Sequence, residues 1–139
     1  MKVKEAMHSG VDWVNPDTPI TELAKLMRDH DVGAIPIGEN DRLVGMVTDR
    51  DIVCKGLVQD DFDASRATAR DVMTANIHCC REDDDLAKAV RHMRELQVRR
   101  LPVINKNKRM VGMLSLGDVS HSAPGDLLFE CVRSVSAHH

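Results

Sequence analysis

Aromatic side chains are almost absent: the 139-residue chain has no tyrosine, one tryptophan (Trp13) and two phenylalanines (Phe62 and Phe129). Proteins that grip single-stranded nucleic acid stack bases on rings, so three rings argue against such a platform. There is no excess of positive charge either. Nineteen lysines and arginines face 22 acidic residues, a net charge of −3, whereas a chain that neutralises nucleic-acid phosphates would be basic. Any anion site must be local. No apolar run approaches the ~18 residues a membrane helix needs. The lysines of residues 1–9 lead into no apolar core and small-residue cleavage site, so no secretory signal is read and the cytoplasm is the expected location. Four cysteines (Cys54, Cys79, Cys80, Cys131) are too few and too irregular for a disulfide scaffold, and no Cys-x-x-Cys pair suggests zinc.

What is present is a repeat. Shifted by 66 residues, Met7 meets Met73, Asp17 meets Asp83, Met27-Arg28 meets Met93-Arg94, Val32 meets Val98 and Pro36 meets Pro102. One extra residue in the second copy moves the shift to 67. Asn40 then meets Asn107, Arg42 meets Arg109, Val44-Gly45-Met46 meets Val111-Gly112-Met113, and Asp51 meets Asp118. A one-residue insertion in a turn costs little. The copies are residues 1–56 and 67–121, joined by a linker over 57–66 and followed by a tail over 122–139.

Each copy reads as βαββα. In the first, Val11–Val14 alternates like a strand, and Thr18 is placed to cap a helix with Pro19 at its first position and an apolar stripe (Leu23, Leu26, Met27) reaching about His30. Ala34–Ile37 and Leu43–Val47 read as strands around a polar turn, with Pro36 suggesting an edge, and Thr48 caps a short helix over Asp49–Lys55. The second copy gives a helix over Asp83–Leu96, strands over Arg100–Ile104 and Met110–Leu114, and Ser115 before Gly117–His121. The class is α/β (α+β). Two units of this size cover their apolar faces by packing about a pseudo-twofold axis, and the cleft between twins is the expected ligand site.

The densest local signal is Gly45-Met46-Val47-Thr48-Asp49-Arg50-Asp51 with its twin Gly112-Met113-Leu114-Ser115-Leu116-Gly117-Asp118. A strand ends on a hydroxyl at a helix N-terminus, where free N–H groups and the dipole favour an anion, and an aspartate follows one turn deeper. A hydroxyl for phosphate and a carboxylate for a sugar diol would together hold a nucleotide. The same Ser/Thr-x-x-Asp spacing is also an ordinary helix cap, and both readings stay open.

The order of Asp17-Thr18-Pro19-Ile20, Gly33-Ala34-Ile35-Pro36-Ile37, the Thr48 motif, Arg70-Asp71-Val72-Met73 and Val98-Arg99-Arg100-Leu101-Pro102-Val103 resembles a tandem cystathionine-beta-synthase (CBS) domain pair, the Bateman module, over about residues 2–121. That resemblance implies a regulatory, non-catalytic module of free-standing type. Its clefts would bind adenosine-containing ligands such as AMP, ADP, ATP, S-adenosylmethionine or NAD, and the chain would assemble as a homodimer. It implies ribose contacts from Asp51 and Asp118, and phosphate contacts from Thr48 and Ser115. Gly33-Ala34 and Arg99-Arg100 would line the facing clefts. Across the axis, Arg99 and Arg100 would complete the Thr48/Asp51 cleft, leaving Gly33 and Ala34 for Ser115/Asp118. A solvated basic pair is the alternative for the arginines.

Other features carry less. His78-Cys79-Cys80 falls on a strand, whose alternate residues face opposite sides and cannot all ligate one ion, so no metal is expected. Methionines 27, 46, 93 and 113 recur at core positions. Glu82–Asp85 begins a helix, where its dipole favours acids. In the tail, Leu127, Leu128, Cys131, Val132 and Val135 share a face of a C-terminal amphipathic helix that needs a partner surface, and His138-His139 closes the chain. No Cys/His or Ser/His pairing suits nucleophilic catalysis, and no catalytic residue or required cofactor is assigned. The expected role is a sensor acting on an unidentified partner protein. A structural module acting through dimerisation alone is the other reading.

Overall fold

The computed structural model of the protein describes all residues except 11, 12, 41, 76, 123, 124, 128, 130–132 and 134–139. The chain packs as two compact units, one made of Met1–Val11 with His78–His139 (unit 1) and one of Asp12–Ile77 (unit 2). Packing therefore cuts the chain differently from the repeat: the head of copy one packs with the body of copy two, and the head of copy two with the body of copy one.

Unit 1 contains α1 (Val3–Ala6), β1 (His8–Ser9), and much further along the chain β4 (Cys80–Arg81), α5 (Leu86–Leu96), β5 (Arg100–Ile104), β6 (Met110–Ser115) and α6 (Leu116–Ser122). Unit 2 contains α2 (Ile20–His30), β2 (Ala34–Glu39), β3 (Arg42–Thr48), α3 (Asp49–Asp51), a π-helical turn over Ile52–Leu57, and α4 (Ala69–Val72). The four strands of unit 1 lie in the order β1-β6-β5-β4, all antiparallel except β4 with β5. In unit 2, β2 and β3 form an antiparallel pair with Ile35 across from Val47 and Ala34 across from Thr48.

The apolar stripes of α2 and α5 explain both cores. Leu86, Ala89, Val90 and Met93 recur at helical spacing and bury on Leu101, Val103 and Leu114 of the sheet, with Val3 and Ala6 of α1 and Val119 of α6 in the same cluster. Ile20, Leu23 and Met27 bury with Ile35, Ile37 and Val47, closed by Ala67, Ala69 and Val72. Each fully buried Leu or Val is worth about 1.5–3 kcal/mol of transfer free energy. Both long helices end identically. Asp31 and Gln97 turn left-handed (φ 51° and 58°), and the amides of Val32 and Val98 donate back to the carbonyls of Met27 and Met93 at 3.0 Å.

Three local expectations are corrected. Thr18 is not the cap of α2: Pro19 is, held extended by an antiparallel bridge to Thr68, with the Ile20 amide donating to the Ala67 carbonyl and the Ala69 amide to the Thr18 carbonyl. The first strand of copy one shrinks to a bridge between Val14 and Ile37, with residues 11 and 12 outside the described ones. An unforeseen strand, β1, precedes it. Of the tail, Leu127 packs against the unit 1 core and Phe129 is exposed, while Leu128, Cys131, Val132, Val135, His138 and His139 lie outside the described residues.

Candidate functional site

In unit 2, β3 delivers Thr48 in extended conformation to the start of α3. The Thr48 hydroxyl accepts the Asp51 amide at 3.0 Å, and Asp51 Oδ2 accepts the Thr48 amide at 2.9 Å. One carboxylate oxygen is thereby fixed on the backbone. The other, Oδ1, lies 3.1 Å from Lys55 Nζ, which also donates to Thr74 Oγ1 at 2.8 Å. The Asp51 side chain is 13% exposed, so this cluster reaches the surface. Gly33 and Ala34 adjoin it, since Ala34 faces Thr48 in register and the Asp49 amide donates to the Gly33 carbonyl at 3.0 Å.

Unit 1 repeats the arrangement with different charges. Ser115 Oγ accepts the Asp118 amide at 3.1 Å, and Asp118 Oδ2 accepts the Ser115 amide at 2.9 Å. Asp118 Oδ1 lies 3.9 Å from Nδ1 of His8, an 87% exposed side chain. Arg100 faces Ser115 in register, and the Arg99 carbonyl accepts the Leu116 amide at 2.9 Å. Both arginines are exposed. Within their own unit, then, they flank Ser115.

The glycines of the two motifs have a specific task. A Cβ on Gly45 would lie 2.8 Å from Met73 Sδ and 3.1 Å from the Thr74 carbonyl, and one on Gly112 would collide with the His8 carbonyl. Glycine lets Met73-Thr74 and Met7-His8 cross the strand closely enough to bring Thr74 and His8 beside the aspartates. Met46 and Thr74 exchange backbone hydrogen bonds at 3.0 and 2.9 Å, and His8 pairs with Met113 at the equivalent place.

A third Thr-x-x-Asp, Thr68–Asp71 at the head of α4, is a cap of the same kind, with Asp71 Oδ2 accepting the Thr68 amide at 2.9 Å. Asp71 is exposed and has no ion pair among the described residues. Lys55, Thr74 and His8 escaped sequence reasoning. The Asp51-to-Lys55 spacing of four on a helix was the available signal for the first. The others directly follow the aligned Met73 and Met7.

No group of three or more His, Cys, Asp or Glu among the described residues is placed to hold a metal ion. His78 and His92 meet edge to face at 6.0 Å. The Cys80 thiol points at the Pro102 carbonyl, and burial, reinforced by the charges of Asp84 and Cys79, pushes it up to about 12. Burial raises Cys79 as well. No helix among the described residues is long and apolar enough to cross a membrane.

The CBS domain profile matches residues 3–55 and 69–125. Hypoxic response protein 1 of Mycobacterium tuberculosis is 37% identical over 133 residues, covering 95% of this chain and 92% of its own. A crystal structure of hypoxic response protein I with two coordinated zinc ions is 38% identical, with a TM-score of 0.79 over 89% of this chain and 100% of that one. CBSX2 in complex with AMP is 26% identical, with a TM-score of 0.76 over 88% of this chain and 95% of its own. A CBS domain pair in complex with 5'-methylthioadenosine and S-adenosyl-L-methionine is 25% identical, with a TM-score of 0.76 over 87% and 94%.

Proposed function

This chain belongs to the CBS domain family, and on that premise we propose that it is a regulatory module that binds an adenosine-containing nucleotide and is not itself an enzyme. Asp51 and Asp118 hold the ribose hydroxyls, Thr48 and Ser115 stand at the phosphate, and the backbone of Gly33 and Ala34 lines the site beside them. Arg99 and Arg100 supply charge-assisted hydrogen bonds to phosphate. The protein works as a cytoplasmic homodimer and passes its occupancy to a regulated protein.

The observation that carries this reading is the divided use of each aspartate. One oxygen is held by the cap, so the carboxylate cannot rotate away. The other is presented beside a basic side chain, at equivalent places in both units. Asp71 has the cap and lacks that second arrangement. AMP, 5'-methylthioadenosine and S-adenosylmethionine, the ligands of two related structures, share one chemical group, adenosine. Its ribose diol is what an oriented carboxylate recognises.

The ligand-free reading, an interaction module acting through its dimer, draws on the exposed Val53, Leu57 and Val58 along the π-helical turn. Thermal unfolding with AMP, ADP, ATP, S-adenosylmethionine, NAD and adenosine separates the two. A ligand at 100 times its Kd stabilises the folded state by about 2.7 kcal/mol, a plain rise in Tm. No shift with any of them at millimolar concentration, and no nucleotide found by native mass spectrometry of the purified protein, would leave only the interaction module.

A further inference from the structure

Resting on the nucleotide-binding reading, we infer that Lys55 is a ligand-binding residue of the Thr48/Asp51 site and selects for a 5'-phosphate on the adenosine it takes. The argument begins with valence. An ammonium has three donors, and those of Lys55 are engaged by Asp51 Oδ1 and Thr74 Oγ1, at 3.1 and 2.8 Å, leaving one. Two anchors from two different chain segments hold a side chain that is otherwise among the most mobile, while 46% of it remains exposed. It is a cation built into place beside the carboxylate assigned to the ribose, one helical turn beyond Asp51.

Charge gives the second step. A lone Asp51 carboxylate would repel the phosphate of any nucleotide whose ribose it bound. Lys55 offsets that charge and keeps one donor for a phosphate. No equivalent lysine serves the other motif: the position aligned with Lys55 is Ser122, and the one aligned with Thr74 is His8, whose ring stands 3.9 Å from Asp118. Fixed positive charge in unit 1 comes instead from the exposed Arg99 and Arg100. The arginines occupy the positions where unit 2 has Gly33 and Ala34, so the repeat places its lysine and its arginines at unrelated positions.

The test compares AMP with adenosine by calorimetry, in an Arg99→Ala/Arg100→Ala background so that the exposed arginines do not contribute. Lys55→Met should lower the ratio of AMP to adenosine affinity by roughly tenfold, the loss expected for one charge-assisted hydrogen bond. Lys55→Arg should keep most of it. The ratio should also fall with added salt in the background protein and stay flat in Lys55→Met. Lys55→Gln repeats the measurement should the methionine disturb folding, with Tm as the check. An unchanged ratio overturns the inference. So does a ratio that falls in Lys55→Met and returns in Asp51→Asn/Lys55→Met, since Lys55 would then act only by cancelling the aspartate. Failure of the parent protein to bind either compound is a different result, which removes the nucleotide-binding reading itself.

Discussion

Three aspartates that cap three helices in the same way offer an internally controlled experiment. Asp51, Asp118 and Asp71 each accept the amide of the residue three before them at 2.9 Å. Replacing any of them by alanine removes that bond and exposes an amide to be satisfied by water, costing about 0.5–2 kcal/mol of stability. Asp51→Ala also breaks the pair with Lys55, a partly exposed contact worth about 0–1 kcal/mol. At about 3–5 °C per kcal/mol for a chain of this length, all three variants should lose a few degrees of Tm, Asp51→Ala the most. Binding should divide them. Asp51→Ala and Asp118→Ala each remove an acceptor for ribose hydroxyls and should lose about 1.5–3 kcal/mol at their own sites, roughly ten- to 150-fold in affinity, while Asp71→Ala binds as the parent does. Calorimetry at 25 °C, where every variant remains folded, reads affinity free of the stability loss. Equal affinity in Asp51→Ala and the parent, or an equal loss in Asp71→Ala, would reduce the motif to capping and refute the ribose assignment.

Gly112→Ala should destabilise more than Gly45→Ala, because its Cβ meets the fixed His8 carbonyl whereas that of Gly45 first meets the flexible end of Met73; equal small losses in urea unfolding would contradict the close-approach argument. Mass mapping of thiol labelling should find Cys54 modified early and Cys80 only on unfolding, and early modification of Cys80 would contradict its burial. Because Cys80 is raised from 9.0 to about 12 in the folded chain, its contribution to stability is intact below pH 9 and lost as pH climbs toward 12. Cys80→Ala should therefore flatten the alkaline fall in stability, and an unaltered fall would oppose this. Light scattering should give twice 15.5 kDa at tens of micromolar, and 15.5 kDa itself would remove the homodimer.

Where periodicity and chain-local chemistry act, the sequence is transparent. The stripes Leu23–Met27 and Leu86–Met93 read as helices because burial on one face demands that spacing. Thr48 and Ser115 read as caps because their partner lies only three residues away. The misreadings sit where a distant segment decides. Thr18 has every credential of an N-cap, yet a bridge from the distant Thr68 holds Pro19 extended and hands the role to it. Nothing near Val11 marks His8–Ser9 as a strand, since its reason to be one is the edge of β6 more than a hundred residues away. The same limit hid Thr74, whose place beside Asp51 depends on a glycine far up the chain. Lys55 was legible in principle from its spacing to Asp51.

The site also explains why one copy of the repeat does not suffice. Gly45, Thr48, Asp51 and Lys55 belong to copy one, but Thr74, which anchors Lys55, comes from the head of copy two. Gly112, Ser115 and Asp118 belong to copy two, and His8 from the head of copy one lies across that glycine. Each motif glycine is small because of a segment that its own copy does not supply. A chain holding one copy would carry the strand, the cap and the aspartate, yet lack the strip that crosses the glycine, and Val47 or Leu114 would lose α4 or α1 from the cluster that buries it. The duplication is therefore reciprocal at the level of residues: each copy completes the other's core and the other's candidate site, and in the resulting pair the two sites were free to acquire different charges.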